Sequence, residues 1–436
     1  MRRWAPAAGW SIEPDADGLA LTHSGRRMTV RMPPEVGREI VAAVGGLSSA
    51  RELTSRGGEE LAKLDARGVL GVEVVHEQHV LARHEPGARR VRHSPPSPYV
   101  RPVRALPSAH MRFGPDGPEL AGGNSADRVV LTSTWAVEFA ARLIARADVE
   151  VDSAPESELL DLLSRAGLLV TGRNQHSEEW EFHDSLFHGA TRLDTSFGLY
   201  GAKIGTTHWE IDNPVRRPMT AERIALGHDD RSQEGMTLQE AISARSSLRD
   251  HGGPPIGSAE ISAILDASLR IRRLERTVAS ERAWRSMPTG GALSGLSAVV
   301  IAASAHDLER GAYEYDAVSH ELAPASGPAP AIDRWLGLAH RLTGIPHTSI
   351  QAMVLFVLDY ARPARSYDSI VYATALKEVG AALQAMALVS ADRGLSFCPM
   401  GGGFATTAGL GEGIRTGAVI GEAVLGRPKG TERAGE

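Results

Sequence analysis

At 436 residues the chain exceeds one ordinary core, and two or three domains are expected. Its 42% apolar content suits a soluble globular protein, and a formal charge of -6 supplies no uniform basic field, so nucleic acid is not an expected partner. One cysteine, Cys398, excludes an internal disulfide framework and any multi-cysteine metal or iron-sulfur site and fits a cytoplasmic setting, while no apolar run approaches the roughly 18 residues of a membrane helix.

The N-terminal half carries an internal repeat. With Pro14 laid on Pro115, Asp15, Leu19, Ser24 and Arg27 fall on Asp116, Leu120, Ser125 and Arg128. A Pro-Asp turn between short apolar runs predicts a β-hairpin in each copy. A third strand (MTV, RVVL) and a helix (VGREIVAAV, WAVEFAARLIARA) follow. Near the end of each copy the offset shortens by two, and Glu59, Leu61, Leu64, Gly68 and Leu70 match Glu158, Leu160, Leu163, Gly167 and Leu169. Leucines three apart before a glycine predict a helix with a glycine end cap. Each copy reads as strands followed by helices, of a size to form a winged-helix-like module: residues 1–85, and 86–175 including the proline-rich linker GARRVRHSPPSPYVRP.

Residues 176–235 read as a connector, in which WEFHDSLFHGATRLD stands out. His183 and His188 are five apart and do not share a helical face well, so packing is the default for them and no metal site is assigned. From 236 to 428 helical and strand-like signals alternate, which predicts an α+β domain, with 429–436 as a tail. MTLQEAISAR, SAEISAILDASL and LKEVGAALQAMALVSADRG read as helices, the last ending at Gly394, and SAVVIAAS and AMVLFVLDY as buried strands.

Three clusters in this domain suit a phosphorylated planar cofactor. In ARSSLRDH, Arg245 and Arg249 are four apart and could converge on one anion from a helix end or turn, with Ser247 as a hydroxyl donor; a solvated surface is the plainer reading. In MPTGGALSG, Pro288, Thr289, Gly290 and Gly291 let the main chain approach a flat ring closely, where a plain turn is the alternative. In FCPMGGGF, Gly401 and Gly402 leave backbone donors open, and Arg427 and Lys429 follow as cations. A P-loop is excluded because GxxxxGK[ST] is absent.

In their order, these motifs resemble the nitroreductase superfamily, and more specifically its SagB-type azoline dehydrogenases of ribosomal peptide pathways. WEFHDSLFHGATRLD and GAYEYDAVSHEL are similar to stretches of that subfamily. The resemblance implies FMN as cofactor. Arg245, Ser247 and Arg249 would hold its phosphate and ribityl oxygens, Pro288 to Gly291 one side of the isoalloxazine, and Gly401 and Gly402 the other, with Gln384 and Arg427 as further contacts. It also implies a homodimer, oxidation of thiazoline or oxazoline rings to azoles in a modified precursor peptide, leader binding by the N-terminal modules, and association with a cyclodehydratase.

A family Lys-Tyr pair falls on Ser366 and Tyr367, so Tyr367 is the catalytic candidate and the lysine is replaced. A tyrosine titrates near ~10, so it would need a cation or a specific hydrogen bond to act at neutral pH. Two further readings stand beside this one: a general flavin reductase of quinones or nitro compounds, and a catalytically silent scaffold of the azoline-forming complex.

Overall fold

The computed structural model describes residues 2–23, 25–44, 46, 53–86, 103–122, 125–145, 149, 151, 153–170, 180–192, 201–202, 223–227, 235–277, 281–325, 329–407, 409–411 and 417–430. The linker 87–102 and most of the connector fall outside them. Two compact units result: residues 1–201 with 368–370, and 202–367 with 371–436.

The first unit is β-rich. It runs β1 (Arg2–Pro6), β2 (Trp10–Asp15), β3 (Gly18–His23), β4 (Arg26–Arg31), α1 (Pro34–Val44), α2 (Ser55–Ala66), β5 (Leu70–His76) and β6 (His79–Glu85). The second copy follows as β7 (His110–Gly114), β8 (Gly117–Gly122), β9 (Ser125–Leu131), α3 (Thr134–Ile144) and α4 (Ala154–Arg165), then α5 (Phe182–Ala190) and β10 (Gly201–Ala202).

The repeat is present in the structure, but in the first hairpin its register differs from the one the identities suggest. Ala7 N–H donates to Val69 O, and Leu106 N–H to Leu168 O, each at 2.9 Å. Trp10 N–H meets Ala7 O as Ala109 N–H meets Leu106 O, and Gly68 N–H meets Asp65 O as Gly167 N–H meets Ser164 O. The offset is therefore 99 at the ends of the copies and in the hairpin, the difference between 106 and 7, whereas Met28 and Thr29 of β4 correspond through their pairing to Val129 and Val130 of β9, at the offset the identities give. The hairpin turn of the first copy is Ala16–Asp17, with Pro14 and Asp15 inside β2, whereas Pro115–Asp116 is itself the turn in the second. A slip of two residues preserves the alternation of a strand, so the hydrophobic pattern could not expose the error.

The copies are not separate modules. β2, β3 and β4 form one three-stranded sheet, but β5 and β6 of the first copy join the second in a six-stranded sheet of order β1-β5-β6-β9-β8-β7. Leu19, Leu21, Ile40, Leu61 and Leu64 fill the core of the first copy, and Leu120, Phe139, Leu160 and Leu163 that of the second. This β-rich pairing of sheets, and not a demonstrated winged helix, is what the structure contains.

The second unit contains β11 (Ile224–Ala225), α6 (Leu238–Ala244), α7 (Ser258–Ser268), β12 (Ile271–Arg276), β13 (Glu281–Arg285), β14 (Leu296–Ala302), β15 (Gly311–Asp316) and β16 (Glu321–Pro324). It continues with α8 (Ala329–Thr343), β17 (Ala352–Leu358), α9 (Ala361–Ala364), β18 (Tyr367–Asp368), α10 (Val371–Asp392), β19 (Ser396–Met400) and β20 (Ala418–Gly426). Its seven-stranded sheet has the order β11-β16-β15-β14-β17-β20-β19, with antiparallel neighbours.

Strands β14 and β17 are apolar at nearly every position because both faces are covered. Ala298, Val300, Val354 and Phe356 pack toward α7 and α10, and Val299, Ile301, Met353 and Leu355 toward α8. Helix α10 ends as expected: Gly394 takes φ +61°, a conformation glycine adopts without steric cost. No helix among the described residues is long and apolar enough to cross a membrane.

Candidate flavin site

The most organised feature of the second unit is the turn that carries Pro288, Thr289, Gly290 and Gly291 between β13 and β14. Residues 290–292 form a single 3-10 turn, with Gly291 at φ +60°. Glu378 of α10 fastens it. One carboxylate oxygen accepts Gly290 N–H at 2.7 Å and the other accepts the Ser294 hydroxyl at 2.6 Å. Ser294 Oγ in turn accepts Leu296 N–H at 3.2 Å, which ties the network to the start of β14. The Gly290 N–H is therefore already used within the chain.

The two glycines are required by close approach. A Cβ on Gly290 would lie 2.9 Å from Thr374 of α10, and one on Gly291 only 2.3 Å from the Tyr367 hydroxyl. Half-buried Tyr367 thus reaches the turn. Beside the turn opens a cleft of about 650 Å³, lined among others by Arg282, Trp284, Thr289 and Gly291.

The Arg245 to Arg249 segment behaves differently from the expectation of two arginines on one helical face. Thr237 and Glu240 form a capping box that starts α6, but the helix ends at Arg245, whose ψ of 122° is not helical. From there the segment follows β19, with Leu248 N–H donating to Phe397 O at 3.1 Å. Arg245 is half-buried, Ser247 and Arg249 are exposed, and neither arginine has a carboxylate partner among the described residues. Helical spacing therefore does not bring their guanidinium groups together.

β19 leads into Gly401 and Gly402, both exposed, where an added Cβ would meet nothing within 4 Å. Gly403 is the opposite case: its Cβ would fall 1.8 Å from Glu422. Glu422 is 3% exposed in β20, and burial pushes its carboxyl up to about 7. Cys398 is buried in β19; burial raises its thiol, partly offset by the Arg249 charge.

Gln384 is exposed on α10, one turn beyond Gly380. Arg427 is half-buried, and its guanidinium pairs with Glu260 at 2.5 Å, so its charge is already matched. No hydrogen bond among the described residues joins the Arg245–Arg249 segment, Gln384 or Arg427 to the glycine turn. Next to this segment, His251 is 3% exposed with neither ring nitrogen partnered, and burial holds it down to about 4.

Residues 242–408 match the nitroreductase family. No curated protein matches the chain. Among solved structures, a protein described as a nitroreductase from Anabaena variabilis is similar at 13% identity and TM-score 0.37, over 98% of this chain and 80% of that one. The Escherichia coli microcin synthetase McbBCD complex, with truncated pro-MccB17 bound, gives 18% identity and TM-score 0.34 over 46% and 72%. A structure from Desulfovibrio desulfuricans, described as a nitroreductase in complex with FMN, gives 16% and 0.28 over 45% and 91%. Values this low leave the reading of the site to its own residues.

In the domain whose residues 242–408 match the nitroreductase family, the sequence motifs pointed to the glycine turn and to Tyr367, but not to Glu378 or Glu422. Both had a signal: Glu378 stands on the buried face of an apolar helix beside Ala375, Val379 and Ala382, and Glu422 interrupts the strand AVIGEAVLG. Charged residues are rarely buried without a task. Elsewhere, His183 lies 3.6 Å from Asp184, and His188 packs edge-on against Trp180. No group of three His, Cys, Asp or Glu side chains is placed to hold a metal among the described residues.

Proposed function

We propose that the chain is an FMN-dependent oxidoreductase of the SagB type that oxidises thiazoline or oxazoline rings to azoles in a ribosomally made peptide. The observation that carries this reading is the fastened glycine turn with the Tyr367 hydroxyl against Gly291. The residues fit FMN. Gly401 and Gly402 leave a cradle that side chains would fill, Arg245 and Arg249 are cations free of carboxylates among the described residues, and the cleft beside Gly291 has room for a planar ring. Arg245, Ser247 and Arg249 would hold the phosphate and ribityl oxygens, and Pro288 to Gly291 would flank the ring. Gln384 is a further contact, and Arg427 would act only through its pairing with Glu260.

When bound, FMN supplies a hydride acceptor that oxygen can regenerate. The chain itself handles the proton: Tyr367 Oη is the side-chain hydroxyl placed at the turn, where it can accept or relay the ring proton. Ser366, where the family has lysine, offers no ammonium, and half-buried Arg365 is the adjacent cation.

The wider assembly follows from exposed surfaces. Leu238 and Ile242 on α6, and Tyr372 and Leu376 on α10, are exposed at helical spacing, which supports a homodimer. The winged-helix-like reading of the repeats rests on their shared order of three strands and two helices. In the first copy the third strand, β4, has one edge without a strand partner among the described residues and bears exposed Arg26, Arg27 and Arg31; its counterpart β9 is covered by β6. That edge suits precursor-peptide binding by strand addition. Exposed Phe113 on edge strand β7 suits docking of a cyclodehydratase.

The test is direct. Purified protein is expected to bind FMN and to convert an azoline peptide with loss of two hydrogens and no added NADPH. Turnover of quinones with NADPH alone would favour the general reductase, and failure to take up FMN would favour the silent scaffold. In Tyr367→Phe, kcat should drop about 100-fold with FMN binding intact; unchanged turnover would remove Tyr367 from the chemistry.

A further inference from the structure

Glu378 is 6% exposed, and no cation pairs with it among the described residues. Both its oxygens act as acceptors, one for a backbone N–H of the glycine turn and one for the hydroxyl that anchors the next strand. Its helix also supplies Thr374, which closes against Gly290. The side chain therefore spans the turn from Gly290 to Ser294, holding the Thr289–Gly290 peptide before Gly291 and the Ser294 side chain after it. Gly291 is in turn the residue that the Tyr367 hydroxyl contacts. A buried carboxylate without a cation also sets a local negative potential that water does not screen.

We infer that Glu378 is the positioning residue of this site: it holds the glycine turn in the shape that receives the flavin and keeps a negative charge behind it. The inference rests on the FMN reading above. A negative charge close to a flavin disfavours added electrons, so Glu378 lowers the reduction potential of bound FMN as well as shaping its seat.

Two substitutions separate these effects. In Glu378→Gln the amide oxygen can still accept Gly290 N–H, so the turn persists while the charge goes. FMN affinity should stay within about threefold of wild type, and the potential should rise. In Glu378→Ala, Gly290 N–H and the Ser294 hydroxyl both lose their acceptor, and FMN affinity should fall at least tenfold, read by quenching of flavin fluorescence in full-length protein. If Glu378→Ala does not fold, the potential of Glu378→Gln still decides. Wild-type affinity and potential in every variant that folds would overturn the inference alone. A wild-type protein that binds no FMN would instead overturn the flavin reading on which it stands.

Discussion

The turn Pro288–Ala292 and the loop Gly401–Phe404 are both glycine-rich, yet the first is held on several sides and the second at one residue. Glu378, Thr374 and Tyr367 close on Gly290 and Gly291. Around Gly401 and Gly402 there is open space, and only Gly403 is pressed, against Glu422. The same residue type serves two purposes: in the turn glycine permits contact, and in the loop it preserves room. The braced turn is the more rigid of the two, and the loop keeps space into which a ligand could fit without rebuilding the fold.

The largest expected effect comes from Glu422, where the loop meets the sheet. Its carboxyl is raised from 4.5 to about 7, so the folded state holds that proton more tightly than the unfolded chain. The resulting stability is complete below pH 4.5 and is lost as pH rises through 7, amounting to about 3 kcal/mol. His251, lowered from 6.5 to about 4, works in the other direction: its contribution is complete above pH 6.5 and is lost as pH falls toward 4. Between those limits the two slopes oppose. Glu422→Gln should therefore be more stable than wild type at pH 8, equal to it below pH 4.5, and newly acid-sensitive between 6.5 and 4.5, as urea titrations at a series of pH values would reveal.

Gly403→Ala should cost about 2 kcal/mol, since its Cβ must displace a buried carboxyl. Thermal melts should show most of that cost vanishing when Glu422→Ala is added, and an undiminished cost would deny the contact. Gly291→Ala should cost about 1–2 kcal/mol from its left-handed backbone, plus the clash with Tyr367. In a Tyr367→Phe background, which lacks the hydroxyl, only the backbone part should remain. Gly402→Ala sharpens the contrast from below, with an expected change within about 0.5 kcal/mol; a large loss there would mean that the loop is as constrained as the turn.

Local pattern made much of this legible in advance. The long helix with Gly394 at its end and the buried strands 296–302 and 352–358 follow from periodicity, because α10 has one apolar face and both sheet faces are covered. What escaped was set by partners distant in sequence. Gly290 gives no sign that its N–H belongs to a residue 88 positions away. Arg245 and Arg249 look like a helical pair until α6 ends at the first of them. In the hairpin the repeat register slid by two because the equivalences there are backbone hydrogen bonds, which leave no trace in residue identity.

The sheet shared by the two repeat copies has a practical consequence. Because β6 pairs with β9, a cut between the copies would expose two strand edges that the intact chain buries against each other. Neither copy can be borrowed as a portable binding tag by itself. The pair must be moved together, and a lineage that loses one copy must first find another strand to cover the wound.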